Sequence, residues 1–230
     1  AGHTSVPLYP NLSAHTLGKI LLHSETKLLF VGKLDNFETM QPGIPTAIPC
    51  ISYPFYSENY PKWDDLTKEI TPLSENVIRG EKELATIIYT SGTTGDPKGV
   101  MHKFYNFSFA TTNAVNALPL KDESFFSYLP LCHIAERLLV MMGSLYAGGK
   151  VSFAESLDTF AANLSEVSPT VFLGVPRIWT KFQQGILKKL SQKKLNILLS
   201  IPIISTLIKK KIQNGLGLSK AKNIFTGAAP

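Results

Sequence analysis

Between Tyr89 and Val100 the sequence reads YTSGTTGDPKGV, with three glycines, four serine or threonine hydroxyls, one proline and one lysine in twelve residues. Those residue types suit the holding of an anion. Gly92 and Gly95 permit backbone angles that turn successive N–H groups toward a ligand. Ser91, Thr93 and Thr94 add hydroxyl donors, and Lys98 adds a mobile positive charge that can meet a phosphate oxygen. Asp96 and Pro97 shape a tight turn before that lysine. Read by composition alone, the segment is either a Gly and Pro turn between two strands or a phosphate cradle. The apolar run LATIIY from Leu84, the hydroxyl cluster and the fixed lysine offset favour the cradle. The segment is neither a GxxxxGK[ST] loop nor a GxGxxG loop.

A cradle of this kind needs a strand to launch it, and the unbroken hydrophobicity of LATIIY predicts a buried one. Downstream, strands are predicted near 125–129, at KVSF and in PTVFLGVP. They alternate with helices over 103–117, over CHIAERLLVMMGSLYAG up to Gly148 and Gly149, and over SLDTFAANLSEV with Ser156 as its cap. A basic helix is predicted to start near Pro176. That alternation implies an α/β fold with a mainly parallel sheet. Upstream, Ser13 is predicted to cap a helix to His23, followed by a strand KLLFV and an ordered, extended loop from Pro42 to Pro61. A short polar helix is expected after Trp63. Residues 186–212 read as two amphipathic halves divided by Pro202, and AKNIFTGAAP reads as a strand entering a glycine turn.

The 230 residues carry a net charge of +6, unevenly spread: all 17 acidic residues lie in 1–166, whereas 167–230 hold eleven basic residues and no acidic one. A basic face of this sort suits solvent, an anionic membrane or acidic segments of a partner. Nucleic acid is not expected, because the lysines bracket apolar stretches without aromatic interleaving or finger spacing. Cys50 and Cys132 are too few for a disulfide framework and have no metal-ligand spacing, which suits a reducing compartment. No apolar run reaches 18 residues and no signal segment opens the chain, so the soluble side of a membrane is favoured. The expected location is cytoplasmic, with peripheral contact at the cytoplasmic face of an anionic membrane as a further option. Nothing sets an oligomeric state.

YTSGTTGDPKGV resembles the phosphate-binding signature of the adenylate-forming, AMP-binding superfamily, which includes acyl-CoA synthetases, luciferases and adenylation domains of peptide synthetases. AGHTSVPLYPNLSAHTLGKILLHSETKLLFV, YLPLCHIAER, SPTVFLGVPRIWTKF and the final FTGAAP resemble segments of its long-chain fatty-acid–CoA ligase subgroup, so the likeness covers nearly the whole chain. The resemblance implies a layered α/β/α amino-terminal domain, here incomplete: residues 1–230 would be a partial adenylation domain with its phosphate loop at 89–100. The small mobile lid domain, the metal-ligand glutamate and the ribose-binding aspartate would lie outside it, and the chain alone would have little or no thioester-forming activity.

The reaction so implied joins a fatty acid to CoA with ATP and Mg2+. By this resemblance Ser91, Gly92, Thr93, Thr94 and Gly95 cradle the β- and γ-phosphates, and Lys98 and Thr94 take the catalytic part, with Lys98 accompanying the departing pyrophosphate. Thr90 approaches the magnesium ion, His133 lines the acyl site, and Gly227 and Ala228 meet adenine. Gly174 either permits helix packing or opens room for an acyl chain. Trp179, at helical spacing from Val175 and Phe182, is either core or a wall of the acyl tunnel. Glu136 and Arg137, adjacent in sequence and so divergent on a helix, read as members of structural ion pairs ahead of substrate contacts. The chain departs from the family in MHKFYN, where Phe104 stands at a position commonly histidine and Asn106 matches. Two other readings stay open: a related enzyme that adenylates a different acid or delivers its acyl group to a carrier protein, and a non-catalytic basic module for membrane or protein association.

Overall fold

The computed structural model describes residues 2–32, 34–53, 59–90, 96–118 and 120–227. They form two compact units, one of 1–108 with 130–133, the other of 109–129 with 134–230.

In the first unit, helix α1 (Ala14–His23) starts where expected, with the Thr16 N–H donating to Ser13 Oγ at 3.2 Å. Leu17, Ile20 and Leu21 form its buried face, as the i, i+3, i+4 spacing requires. Strand β1 (Leu29–Val31) and helix α2 (Phe37–Met40) follow, the latter running into a 3-10 turn at Gln41–Gly43. A Cβ on Gly43 would stand 2.0 Å from the Ala14 carbonyl oxygen, so only glycine lets this turn touch α1 backbone to backbone. The stretch from Pro42 to Pro61 is not one extended loop. It contains strand β2 (Cys50–Ser52), which pairs in parallel with β1 and buries Cys50 and Ser52 on alternate positions. The short helix after residue 62 is present as α3 (Trp63–Thr67).

Strand β3 (Leu84–Thr90) is the predicted launching strand, but the element after the glycine-rich loop is strand β4 (Lys98–Lys103), antiparallel to β3. The loop therefore closes a hairpin. Only after β4 does helix α4 (Phe104–Ala117) begin. Its start keeps one capping feature, since Asn106 Oδ1 accepts from the Lys103 N–H at 2.7 Å, the reach-back half of a capping box.

The second unit is built on a four-stranded, all-parallel sheet in the order β6-β5-β7-β8. Its strands are β5 (Ser124–Ser127), β6 (Lys150–Phe153), β7 (Val171–Gly174) and β8 (Asn223–Thr226). Side-chain alternation sorts the layers. Phe126 and Phe172 pack with Phe160, Leu164 and Leu218 on one face, whereas Phe125 and Val171 pack with Leu120 and Val140 on the other. Helix α6 (Phe160–Val167) and the flank of helix α7 (Pro176–Lys189) cover the first face. The end of α4, a π-helical segment (Glu136–Met142) and helix α5 (Gly143–Ala147) cover the second. A sheet covered on both faces explains why β7 is buried at all four positions.

Three boundaries differ from expectation. The helix over CHIAERLLVMMGSLYAG is π-helical from Glu136 to Met142 before it turns α-helical, and it ends at Gly148 in the left-handed region, φ 66°. Ser156 does not cap α6. Ser156 and Thr159 exchange backbone and side-chain hydrogen bonds in a separate turn, which delays the helix to Phe160. The basic segment breaks twice, giving α7, helix α8 (Gln192–Ser200) and helix α9 (Pro202–Gly215), the last with Pro202 in its first turn as predicted.

Candidate functional site

The hairpin decides what its loop can offer. Thr90 and Lys98 are cross-strand partners, so their Cα atoms stand about 5 Å apart and their side chains leave the same face of the ribbon. Both are exposed, whereas Tyr89, one residue earlier, is buried on the opposite face. A hydroxyl and an ammonium thus rim the two ends of the segment 91–97. Ser91, Gly92, Thr93, Thr94 and Gly95 lie outside the described residues, as does Ala228.

Helix α1 backs this hairpin through a stripe the residue types had not suggested. His15, Lys19 and His23 follow one another at i, i+4 and i+8, so they share a helix face. His23 Nδ1 and the Tyr89 hydroxyl are hydrogen-bonded at 2.7 Å. Lys19 Nζ lies 2.5 Å from Asp96 Oδ1. The hydrogen bond and charge of Lys19, with a smaller contribution from His15, hold the Asp96 carboxyl below the ordinary range. The Tyr89 ring is also fixed from β4, because a Cβ on its partner Gly99 would come 3.2 Å from it. Both limbs of the loop are therefore tied to one rigid helix. The signal for this was present as three basic or imidazole side chains at four-residue spacing.

An exposed ion pair adds little to global stability, so the Lys19 contact is expected to act on the loop alone. Lys19→Asp or Asp96→Lys should speed amide hydrogen exchange at the ends of the hairpin about two- to fivefold, with the unfolding midpoint nearly unchanged. The double exchange Lys19→Asp with Asp96→Lys should restore the slower exchange. Additive increases in the double variant would remove the pairing as the cause.

His133, in the first unit, follows the turn in which its N–H donates to the Pro130 carbonyl at 2.8 Å. Its Nδ1 is buried without a hydrogen-bond partner among the described residues, which leaves it available to a ligand. The neighbouring Cys132 thiol is pushed up to about 11 by burial, beside Tyr9, and is no nucleophile.

The second unit presents the carboxyl ends of β5, β7 and β8 together. From β5 the chain crosses to β6 on one side, then returns past β5 to β7 and on to β8, so the winding reverses direction beside β5. That is a switch point, where open α/β sheets place ligands. Gly174 ends β7, and Gly227 follows β8 with open space where a Cβ would project. Trp179 belongs to α7 and reaches back, its Nε1 donating to the Gly174 carbonyl at 2.8 Å. A Cβ on Gly174 would meet the indole at 2.5 Å, so the space beside this glycine is filled by Trp179, which also packs edge-on against Phe172 and Phe182. Tyr128, just past β5, accepts a hydrogen bond from the Val175 N–H at 3.1 Å and links the two strand ends.

Glu136 departs most from expectation. It joins no ion pair among the described residues; it is 1% exposed, and neither carboxyl oxygen has a hydrogen-bond partner among them. Burial raises its pKa to about 7, opposed only in part by the Ser127 hydroxyl and the Leu129 and Tyr128 amides nearby.

The sequence profile of the family described as AMP-binding enzyme matches residues 1–230. The chain belongs to the AMP-binding enzyme family. Among curated relatives, it is 29% identical over 273 residues to the long-chain-fatty-acid–CoA ligase ACSBG2 of Homo sapiens, an alignment covering all of this chain and 41% of that protein. Long chain acyl-CoA synthetase 4 of Arabidopsis thaliana is 28% identical over 270 residues, covering 98% of this chain and 40% of that one. The chain thus spans about two fifths of the length of these relatives. The solved A domain of a carboxylic acid reductase from Segniliparus rugosus, in complex with AMP and a co-purified carboxylic acid, superposes with a TM-score of 0.74 at 22% identity. It covers all of this chain and 41% of that structure, and it establishes the fold. The α/β architecture with a mainly parallel sheet is that of the amino-terminal domain of adenylate-forming enzymes.

A magnesium ion fits these residues only as a companion of ATP. Among the described residues no group of three or more His, Cys, Asp or Glu gathers to hold a metal. Asp96, the carboxylate nearest the loop in sequence, is taken by Lys19. Thr90 offers one hydroxyl, which suits Mg2+ because that ion keeps phosphate and water ligands of its own.

Proposed function

We propose that this chain is the ATP-phosphate- and acyl-binding part of a long-chain fatty-acid–CoA ligase. The fatty carboxylate attacks the α-phosphorus of ATP, giving acyl-AMP and releasing pyrophosphate; the CoA thiol then attacks the acyl carbonyl and releases AMP. Neither step needs a protein nucleophile, so the protein's task is to position anions and stabilise developing charge. Ser91 to Gly95 cradle the β- and γ-phosphates. Lys98, with Thr94, meets the charge that builds on pyrophosphate, and Thr90 would offer its hydroxyl to a magnesium ion carried in with ATP, which would supply further positive charge there. His133 lines the acyl site, and Gly227 and Ala228 meet adenine; Gly174 opens no room for an acyl chain, because Trp179 fills the space beside it.

The observation that carries this reading is the hairpin register that sets Thr90 opposite Lys98 across the loop. The names of the curated relatives support the substrate class. In this reading the enzyme works in the cytoplasm, in keeping with two buried free thiols.

The test is pyrophosphate exchange and thioester formation by the full-length protein carrying this chain, with MgATP, CoA and acids from acetate to palmitate. Palmitate-dependent exchange and palmitoyl-CoA formation at about 1 per second or faster are expected. Exchange with short acids alone, or none with any acid, would overturn the reading. Exchange with palmitate but transfer only to a carrier protein would move the chain to the carrier-dependent class.

A further inference from the structure

The basic carboxyl-terminal helices have an order that their composition does not require. Helices α8 and α9 meet at one extended residue, Ile201, with φ −96° and ψ 114°, and Pro202 opens α9. The side chains around this corner are apolar and face outward: Ile197 is 62% exposed, Ile203 79% and Leu207 64%, with Ile201 also exposed. Ile203 and Leu207 are four apart in α9 and so share one face at the corner, joined there by Ile201 in the link and Ile197 in the last turns of α8.

Lysines lie one turn behind on both helices. Lys193 and Lys194 precede Ile197 by four and three residues, Lys210 and Lys211 follow Leu207 by three and four, and Lys209 stands beside them; all five are exposed. Local electrostatics does not account for these positions. Lys193 and Lys194 occupy the first turn of α8, where the helix macrodipole disfavours cations, and that turn has no acidic residue. Lys209, Lys210 and Lys211 have no acidic residue three or four positions away, and residues 167–230 contain none at all. No ion pair among the described residues involves the five.

We infer that the α8–α9 corner is a wedge that docks onto an anionic lipid bilayer, its isoleucines and leucine entering the acyl boundary while the five lysines rest among lipid phosphates. One helical turn is 5.4 Å, so the apolar tip leads the lysine collar by a distance that matches the 5–10 Å burial of interfacial helices. A folded protein partner would need an apolar socket ringed by acidic groups at matched depth, whereas a bilayer offers that layering at every point. No helix among the described residues is long and apolar enough to cross a membrane, so the corner enters part-way and does not span. The inference does not rest on the ligase reading.

The test is co-sedimentation of the full-length protein carrying this chain with vesicles of phosphatidylcholine alone or with about one third phosphatidylserine, at low and high salt. Binding to the anionic vesicles at low salt, weakened about tenfold or more at high salt, is expected from screening of five lysines. Ile203→Glu with Leu207→Glu should reduce binding at least tenfold at low salt with thermal stability unchanged. Lys209→Gln with Lys210→Gln and Lys211→Gln should erase the preference for anionic vesicles. Absence of binding at low salt, or wild-type binding by the Ile203 and Leu207 variant, would overturn the wedge. Unfolding or dissociation of an oligomer in that variant would show the corner packed against protein, and would overturn it equally.

Discussion

On the ligase reading proposed above, replacing Lys98 by alanine is expected to slow acyl-adenylate formation about a hundredfold or more, the usual cost of removing one preorganised charge from a site of developing negative charge. The residue stands at the end of β4 opposite Thr90, exposed. Its loss should therefore leave the hairpin intact and stability within about 0.5 kcal/mol of wild type. The effect should fall on the pyrophosphate-releasing half-reaction. Thioester formation from pre-formed acyl-AMP and CoA has no departing pyrophosphate, and should be little changed. Lys98→Arg should recover part of the rate, because guanidinium keeps the charge but not the compact ammonium geometry. Pyrophosphate exchange and single-turnover thioester formation, measured side by side in the full-length protein, check both halves. A loss under about threefold in exchange, or equal losses in both halves, would remove Lys98 from the role given to it.

The segment YTSGTTGDPKGV carried the clearest local signal, because its residue types and offsets within twelve positions suggest an anion cradle, although Ser91 to Gly95 lie outside the described residues. Its support was less legible. Strand β4, KGVMHK, is exposed at Lys98, Val100, Met101 and Lys103, so it lacks the apolar alternation by which a half-buried strand announces itself. What makes it a strand is its pairing with β3, a contact the sequence does not display. The same holds for α1, whose Ser13 cap and buried face could be read from spacing, whereas its role behind the loop depends on Tyr89 and Asp96 arriving from more than sixty residues away. The parallel sheet was readable from β7, whose four positions are all apolar or glycine and all buried. Helix ends fared worse, since Ser156 satisfies the rule for a cap and yet spends its hydrogen bonds in a turn with Thr159. No residue type marks a π-helix, and so the segment that carries Glu136 read as ordinary helix.

That segment holds the second large effect. Glu136 keeps its proton to about pH 7 in the folded chain because burial penalises the charged form, against an ordinary value of 4.5. One pKa unit corresponds to about 1.4 kcal/mol, so the difference amounts to roughly 3 kcal/mol. The sign follows from proton counts: between the two pKa values the folded state binds more protons than the unfolded one, so stability falls as pH rises. The penalty is absent below about pH 4.5, grows up to about pH 7 and is fully present above it. Glu136→Gln carries no titrating group and should abolish this part of the pH dependence. The variant should be more stable than wild type at pH 8 by an amount approaching that figure, and close to wild type at pH 4.5, where both side chains are neutral. Denaturant unfolding of wild type and variant at both pH values reads the difference directly. If Glu136→Gln is destabilised equally at both, the carboxyl oxygens have partners in the intact protein that glutamine cannot reproduce. The group would then be a held structural anion rather than a buried acid beside the carboxyl end of β5.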